Sequence, residues 1–358
     1  MKKHKWALGF SACLLAFTVF LSLDTFVLSS AYQADATQMN TAMFERVTSE
    51  KADESAEEPE AAAEDAADPE QPQAKTTPQE NAESSGKKHK ARKTGAEEPV
   101  QETSQAPVES SPAASADSAD ARTYQDENIS VTLTEQTVNG TAVYVADVQL
   151  SSAEYLKTAF ANDTYGKNVT AKTSTIAAAH DAILAVNGDY YGARERGYVI
   201  RNGVVYRDSA DSADVLCVYA DGTMEIVDPE TVTAQELVER GVWQAFSFGP
   251  ALVENGTVSV SEGDEVGKAK ASNPRTAVGM IDPLHYVFVV SDGRTDESEG
   301  LSLYELAQFM QTLGVETAYN LDGGGSSTMV FQGEVVNNPT TSGNSIKERG
   351  VSDIVYIG

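Results

Sequence analysis

Residues 320–330 read NLDGGGSSTMV, which sets one carboxylate, three consecutive glycines and two serines between apolar runs. A glycine in an ordered element costs about 0.5–1 kcal/mol relative to alanine, so three together need a physical reason. Without Cβ atoms, Gly323, Gly324 and Gly325 let successive backbone N–H groups converge on an anion, and the hydroxyls of Ser326 and Ser327 add donors. Asp322 stands at the rim. The chemistry implied is a phosphate or a developing oxyanion held beside a carboxylate; the plain alternative is a glycine-rich bulge filled by water.

Other polar clusters end apolar runs in the same way. "HYVFVVSDGR" leads into Asp292 and Arg294, and "AILAVNGDYYG" into Asn187 and Asp189, followed by Tyr190 and Tyr191, which suit stacking on a sugar ring. "SNPRTAVGM" puts Arg275 and Thr276 ahead of an apolar run, and "KERGVSDIVYIG" does so with Arg349. A guanidinium offers a planar fork suited to phosphate. Familiar motifs fail on spacing. No lysine follows the glycines as a P-loop requires, and Thr328 stands where a nucleophile elbow needs its last glycine. Of the four histidines, His4 and His89 lie outside the ordered region, His180 falls in a helical pattern and His285 opens a strand, so none suits a serine–histidine pair.

These residues must be positioned by strands. Alternating runs flank Asn139-Gly140, Asn202-Gly203, Asp221-Gly222 and Asn255-Gly256, the strongest short-range hairpin signal. Tyr286–Val290 is continuously apolar, as expected of a strand buried on both faces. "SLYELAQFMQTLG" has helical spacing, with Ser302 as N-cap, Glu305 three residues on and Gly314 as the stop. "TSTIAAAHDAILA", capped by Thr173 or Ser174, and the shorter "TAQELVERG" are the other helical patterns. The class is α+β: a mixed, largely antiparallel sheet with a few covering helices. The strand at Tyr286–Val290 and the run Val315–Leu321, joined by a helix, are expected to be parallel neighbours, with Asp292 and Asp322 side by side at one edge.

Ahead of this domain the composition changes twice. Residues 6–31 are almost entirely apolar, with Asp24 the only charge, and follow Lys2, Lys3 and Lys5, which predicts a transmembrane signal-anchor with a cytoplasmic N-terminus. The alternative is a cleaved signal peptide, with Ser29-Ser30-Ala31 or Ala34-Asp35-Ala36 as the site. Either way the rest is extracytoplasmic, membrane-anchored or secreted. Thr48–Arg122 holds 18 acids and 8 bases among Ala, Ser, Pro and Gln, the composition of a disordered spacer. Its basic island, Lys87–Lys93, would touch an anionic polymer or merely be solvated. The organisation expected is therefore anchor at 1–34, linker at 35–122 and catalytic domain at 123–358. Of the net charge of −28, the spacer carries −10 and residues 1–47 carry +1, which leaves −19 on residues 123–358. Such an acidic domain excludes nucleic acid as a partner, since that binding rests on Lys and Arg neutralising phosphates. Cys13 and Cys217 form no metal or disulfide pattern. No cofactor is required by the sequence.

Seven motifs in order, NGDYY, FGPALV, NPRTAVG, SDGR, the SLYELAQFMQTLG helix, NLDGGGSSTMV and ERGVSDIV, resemble the phosphodiester glycosidase family over about Ala171–Gly358. Family members commonly read NGGFF where this chain has Asn187-Gly-Asp-Tyr-Tyr, a departure that would alter sugar preference or add a carboxylate. The resemblance implies cleavage of the sugar C1–O bond of a glycosyl (GlcNAc-like) 1-phosphodiester in an exported polysaccharide or glycolipid. Arg275, Arg294 and the Gly323–Ser326 backbone would cradle the phosphate, with Asp322 and Asp292 as nucleophile or base, in either assignment. The separation of that pair would set the stereochemistry. Two other readings use the same residues. One is a non-catalytic module for anionic envelope polysaccharide. The other is P–O hydrolysis with a divalent cation on Asp189, Asp292 and Asp322.

Overall fold

The computed structural model describes residues 5–26, 28–46, 121–265, 272–342 and 345–358. The spacer at Thr48–Arg122, with its basic island, lies outside them except for its last two residues.

Three sheets carry the fold, and among the described residues every strand pair is antiparallel. The largest has eight strands, and its centre is Thr317–Asn320, Arg275–Asp282, His285–Ser291 and Thr141–Leu150, in that spatial order. Arg275–Asp282 and His285–Ser291 at its centre are buried on both faces over most of their length. Tyr286, Phe288 and Val290 join one apolar cluster, whereas Val287 and Val289 join another with the helix Leu303–Thr312. Alternation in a strand produces this division. The first cluster also takes Leu184, Val186, Val355 and Ile357 from a five-stranded sheet, and Leu216 and Phe246 from a second five-stranded sheet.

Local chemistry fixes most of the boundaries. Both central residues have positive φ at Asn139-Gly140, Asn202-Gly203 and Asn255-Gly256, and all three join paired strands. At Asp221-Gly222 only the glycine does. The Leu303–Thr312 helix has a reciprocal capping box between Ser302 and Glu305, and Ala234–Glu239 has one between Thr233 and Glu236. The third helix is shorter than its sequence pattern. It spans Thr173–Ala179, and Leu184–Asn187 is already a strand, because that apolar run is needed between Met329–Phe331 and Asp353–Ile357.

The parallel pair does not form as expected. Arg275–Asp282 lies between His285–Ser291 and Thr317–Asn320 and runs antiparallel to both. The two outer strands still point the same way, so their ends share an edge, and the inserted strand starts there with Arg275 opposite Ser291.

Residues 35–46, read as linker, lie on this body. Ser30–Gln33 pairs with Tyr165–Lys167, and the Asn40 amide donates to the Asn202 carbonyl at 2.9 Å. Met43 is 1% exposed in a cluster with Tyr198, Ile200 and Trp243, and the Phe44 ring lies 4.9 Å from that of Trp243. The apolar N-terminal run is helical over Lys5–Phe26. Among the described residues, however, no helix is long and apolar enough to cross a membrane, so the expected anchor gains no support.

Candidate active site

The shared sheet edge opens into a cleft of about 210 Å³. Arg275, Arg294, Arg349 and Asp322 line it, with Tyr190, Phe248, Asn273 and Asn320. Three guanidinium groups thus face one carboxylate; counting Glu265, which pairs with Arg275 at 2.7 Å, the surplus is still positive. On a chain of net charge −28, such a concentration of cations is of the kind that suits an anion.

Asp322 follows Thr317–Asn320, and Asn187 fixes its loop from behind. The Asn187 amide donates to the Asp322 carbonyl at 2.6 Å, while its side-chain oxygen accepts from Thr276 at 2.8 Å. Asp322 Oδ2 accepts from Ser326 at 2.5 Å and from Arg349 at 2.9 Å. Burial raises its pKa above the ordinary carboxylate value, against the opposing pull of Arg349 and Ser326. Arg294 is held by Asn273, whose oxygen accepts from Nη2 at 3.0 Å. Its pKa is lowered by burial and by the nearby Arg349 and Arg275. No carboxylate lies within ion-pair distance of Arg294 among the described residues, so its charge remains for a ligand.

Two of the four main-chain amides read in the sequence as a cradle, those of Gly324 and Ser326, are taken up within the fold. The Gly324 amide donates to Pro274, that of Ser326 to Gly323 and that of Ser327 to Gly324, so these donors are already committed. What the stretch needs is close approach. A Cβ on Gly323 would come within 2.9 Å of the Pro274 carbonyl, and one on Gly325 within 2.9 Å of the Thr341 backbone. Gly324 has φ +61°, and a Cβ there would lie 2.6 Å from Arg294 Nη2. The bare Gly324 leaves room for the Arg294 guanidinium.

The other predicted residues divide accordingly. Gly323, Gly324, Arg275, Arg294, Arg349 and Asp322 line the cleft, and Ser326 buttresses Asp322 and Arg349. Thr276, Ser327 and Gly325 do not line it. Asp292 does not line the cleft: it accepts from the Asn338 amide at 2.8 Å and from the Asn338 and Asn337 side chains, which fastens the 337–338 loop. Asp189 is 1% exposed and is paired with Arg201 at 2.9 Å; Arg201 also holds Asp353 at 2.8 Å. This buried cluster ties the segment after Leu184–Asn187 to the strands Val199–Arg201 and Asp353–Ile357, and Asp189 adds no carboxylate to the cleft lining. The three acids read as a cation site do not meet, and among the described residues no three His, Cys, Asp or Glu side chains gather to hold a metal. Sequence reasoning missed Asn320, Asn273 and Phe248, although each belongs to one of the seven motifs. Asn320 gives its amide to the Gly249 carbonyl at 2.8 Å, and its buried oxygen has no partner.

The family model described as phosphodiester glycosidase matches residues 180–358, which is half of the chain. The chain belongs to the phosphodiester glycosidase family. An uncharacterised prophage-derived protein of Bacillus subtilis, YomE, is 29% identical over 165 residues, covering 44% of this chain and 25% of its own. The mouse N-acetylglucosamine-1-phosphodiester alpha-N-acetylglucosaminidase is 32% identical over 120 residues, covering 32% of this chain and 23% of its own. The chain thus spans about a quarter of the length of these relatives. In fold it is similar to the zebrafish enzyme's catalytic domain, solved auto-inhibited by its pro-peptide, with a TM-score of 0.51, 19% identity, and coverage of 68% of this chain and 84% of that one.

Proposed function

We propose that the protein hydrolyses the sugar C1–O bond of a glycosyl 1-phosphodiester, with a GlcNAc-like sugar. The observation that carries this reading is the meeting of Arg275, Arg294 and Arg349 around the buried Asp322. Phosphate leaves readily, so the bond breaks without a strong general acid. The site must instead neutralise the departing phosphate and support a cationic sugar carbon, and preorganised charge of this kind usually contributes more to catalysis than any other single effect. Arg294 and Arg349 meet the phosphate. Asp322, the sole carboxylate lining the cleft among the described residues, stabilises positive charge at C1 and takes the proton of the attacking water. Its raised pKa suits a base. The names of the mouse and human relatives point to the same bond.

An exported polysaccharide or glycolipid is the substrate class we favour, with the domain extracytoplasmic, on the strength of Lys2, Lys3 and Lys5 before the apolar N-terminal run. The test is incubation of the purified chain with a GlcNAc 1-phosphodiester. Free sugar and a phosphomonoester are expected from the wild type, and none from Asp322→Asn. A folded Asp322→Asn protein with full activity would refute the assignment; a sugar phosphate as product would mean P–O cleavage, and binding without turnover a non-catalytic module.

A further inference from the structure

The cleft has two aromatic walls, Tyr190 and Phe248; among the described residues, all others that line it are polar or glycine. The backbone behind both rings converges on one buried carboxylate. Asp189 Oδ1 accepts from the Tyr191 amide at 3.2 Å, and Oδ2 accepts from the Ser247 amide at 2.9 Å. Tyr191 directly follows Tyr190, and Ser247 directly precedes Phe248. Tyr190 has φ +64°. A tyrosine in this left-handed region is an outlier, and such a conformation persists only where the surroundings over-determine it. Anchoring the next amide on a buried acid meets that need. Two further ties join the same segments. Arg194, which follows the Tyr191–Ala193 turn, donates through Nη1 to the Ser247 carbonyl at 3.0 Å and lies 4.8 Å over the Phe248 ring. The Phe248 amide itself donates to the Tyr319 hydroxyl at 2.9 Å.

The acid is held from behind by Arg201, which donates through Nη2 to Asp189 at 2.9 Å and through Nε to Asp353 at 2.8 Å, while Nη1 donates to the Ile200 and Ala245 carbonyls. None of the three charged residues is more than 1% exposed. Asp353 alone would neutralise Arg201. With both acids ionised the cluster keeps one negative charge in excess, and an uncompensated buried charge is destabilising. The second acid therefore needs a reason other than stability. We propose that Asp189 is a positioning residue that sets the gap between the Tyr190 and Phe248 walls and so aligns the sugar of the phosphodiester with Asp322. The inference rests on reading the cleft as a glycosyl phosphodiester site. A sugar presents C–H faces to such rings, and misplacing a bound reactant by about 1 Å costs on the order of 100-fold in rate. Asp189 does not line the cleft; it acts through the residues next to its two amide partners. It is also a position at which the chain departs from NGGFF, and a glycine there would accept from neither amide.

Both oxygens of Asp189 face N–H donors, so an asparagine must turn its NH2 against one of them. Arg201 and Tyr191 both donate to Oδ1, which keeps the oxygen on that side and sets the NH2 against the Ser247 amide. The Phe248 wall then shifts. The experiment measures kcat/KM of the full chain for release of GlcNAc from its methyl 1-phosphodiester, with chemical denaturation run alongside. Asp189→Asn should lower kcat/KM by about tenfold or more in the wild-type background. In a Phe248→Ala background the loss should be less than about threefold, because the wall that moves is already gone. A merely structural role would give the same factor in both. Arg201 keeps Asp353 in Asp189→Asn, so the variant should fold; Asp189→Ser is the second variant and should show the same dependence on background. Equal factors in the two backgrounds, or a loss below about threefold in the wild-type background, would overturn the positioning role and leave the proposed reaction standing. Unfolding of both variants would overturn it too, since Asp189 would then hold the fold and not the wall. A wild type that releases no sugar would remove both.

Discussion

Gly324→Ala tests directly what the glycine run is for. Alanine would keep φ +61° only with difficulty, since the left-handed region costs an L-residue roughly 1–2 kcal/mol. Its Cβ would stand 2.6 Å from Arg294 Nη2, where ordinary contact begins at 3.4 Å, so the guanidinium must retreat by about 0.8 Å. That retreat stretches the 3.0 Å bond to Asn273 and withdraws a charge from the cleft. Loss of one hydrogen bond to a charged partner is worth about 1.5–3 kcal/mol, or roughly 10- to 150-fold in kcat/KM. The assay is release of free sugar from a GlcNAc 1-phosphodiester, with denaturant unfolding run in parallel to measure the stability loss. The penalty passes through Arg294, so Gly324→Ala should add little in an Arg294→Ala background. Full activity in Gly324→Ala, or the same fold loss in both backgrounds, would refute the reasoning.

Three further outcomes follow from the structure. Arg349→Met removes the cation that opposes the burial of Asp322, so the carboxyl pKa rises further; activity needs the ionised form, and the acid limb of the pH–rate profile should move to higher pH as well as to lower rates. An unmoved limb would mean that Asp322 is not the titrating group. Met43→Ala empties a position that is 1% exposed and should cost about 2–5 kcal/mol by chemical denaturation, showing that residues 28–46 belong to the folded body; a loss below 0.5 kcal/mol, taken as roughly the scale of a surface substitution, would deny it. Asp353 is pushed up to about 6 by burial, against Arg201. A carboxyl whose folded pKa lies above its unfolded value loses stability as pH rises through that window, so wild type should gain on Asp353→Asn by roughly 2–3 kcal/mol between pH 7 and pH 4; parallel stability curves would contradict this.

Much of the local structure is written in short-range chemistry. The Asn-Gly turns and the capping boxes at Ser302 and Thr233 lie within a few residues of the structure they specify. So do the residue types of the site: Arg275, Arg294, Asp322 and Arg349 are each legible as polar groups beside apolar runs. Their grouping depends on strand order, which single runs do not encode. Two strands joined by a helix look like neighbours, yet Arg275–Asp282 enters between them and brings its first residue to their common edge. The roles of Asp189 and Asp292 were decided in the same way. Each is a carboxylate at a strand end, but Arg201 takes one and the Asn337–Asn338 loop the other. Residue types and spacing were enough to name the side chains that could bind a phosphate. What the folded chain decided is which donors stay available: the Gly324 amide is taken because the distant carbonyl of Pro274 has already accepted it, whereas the guanidinium groups of Arg275, Arg294 and Arg349 line the cleft.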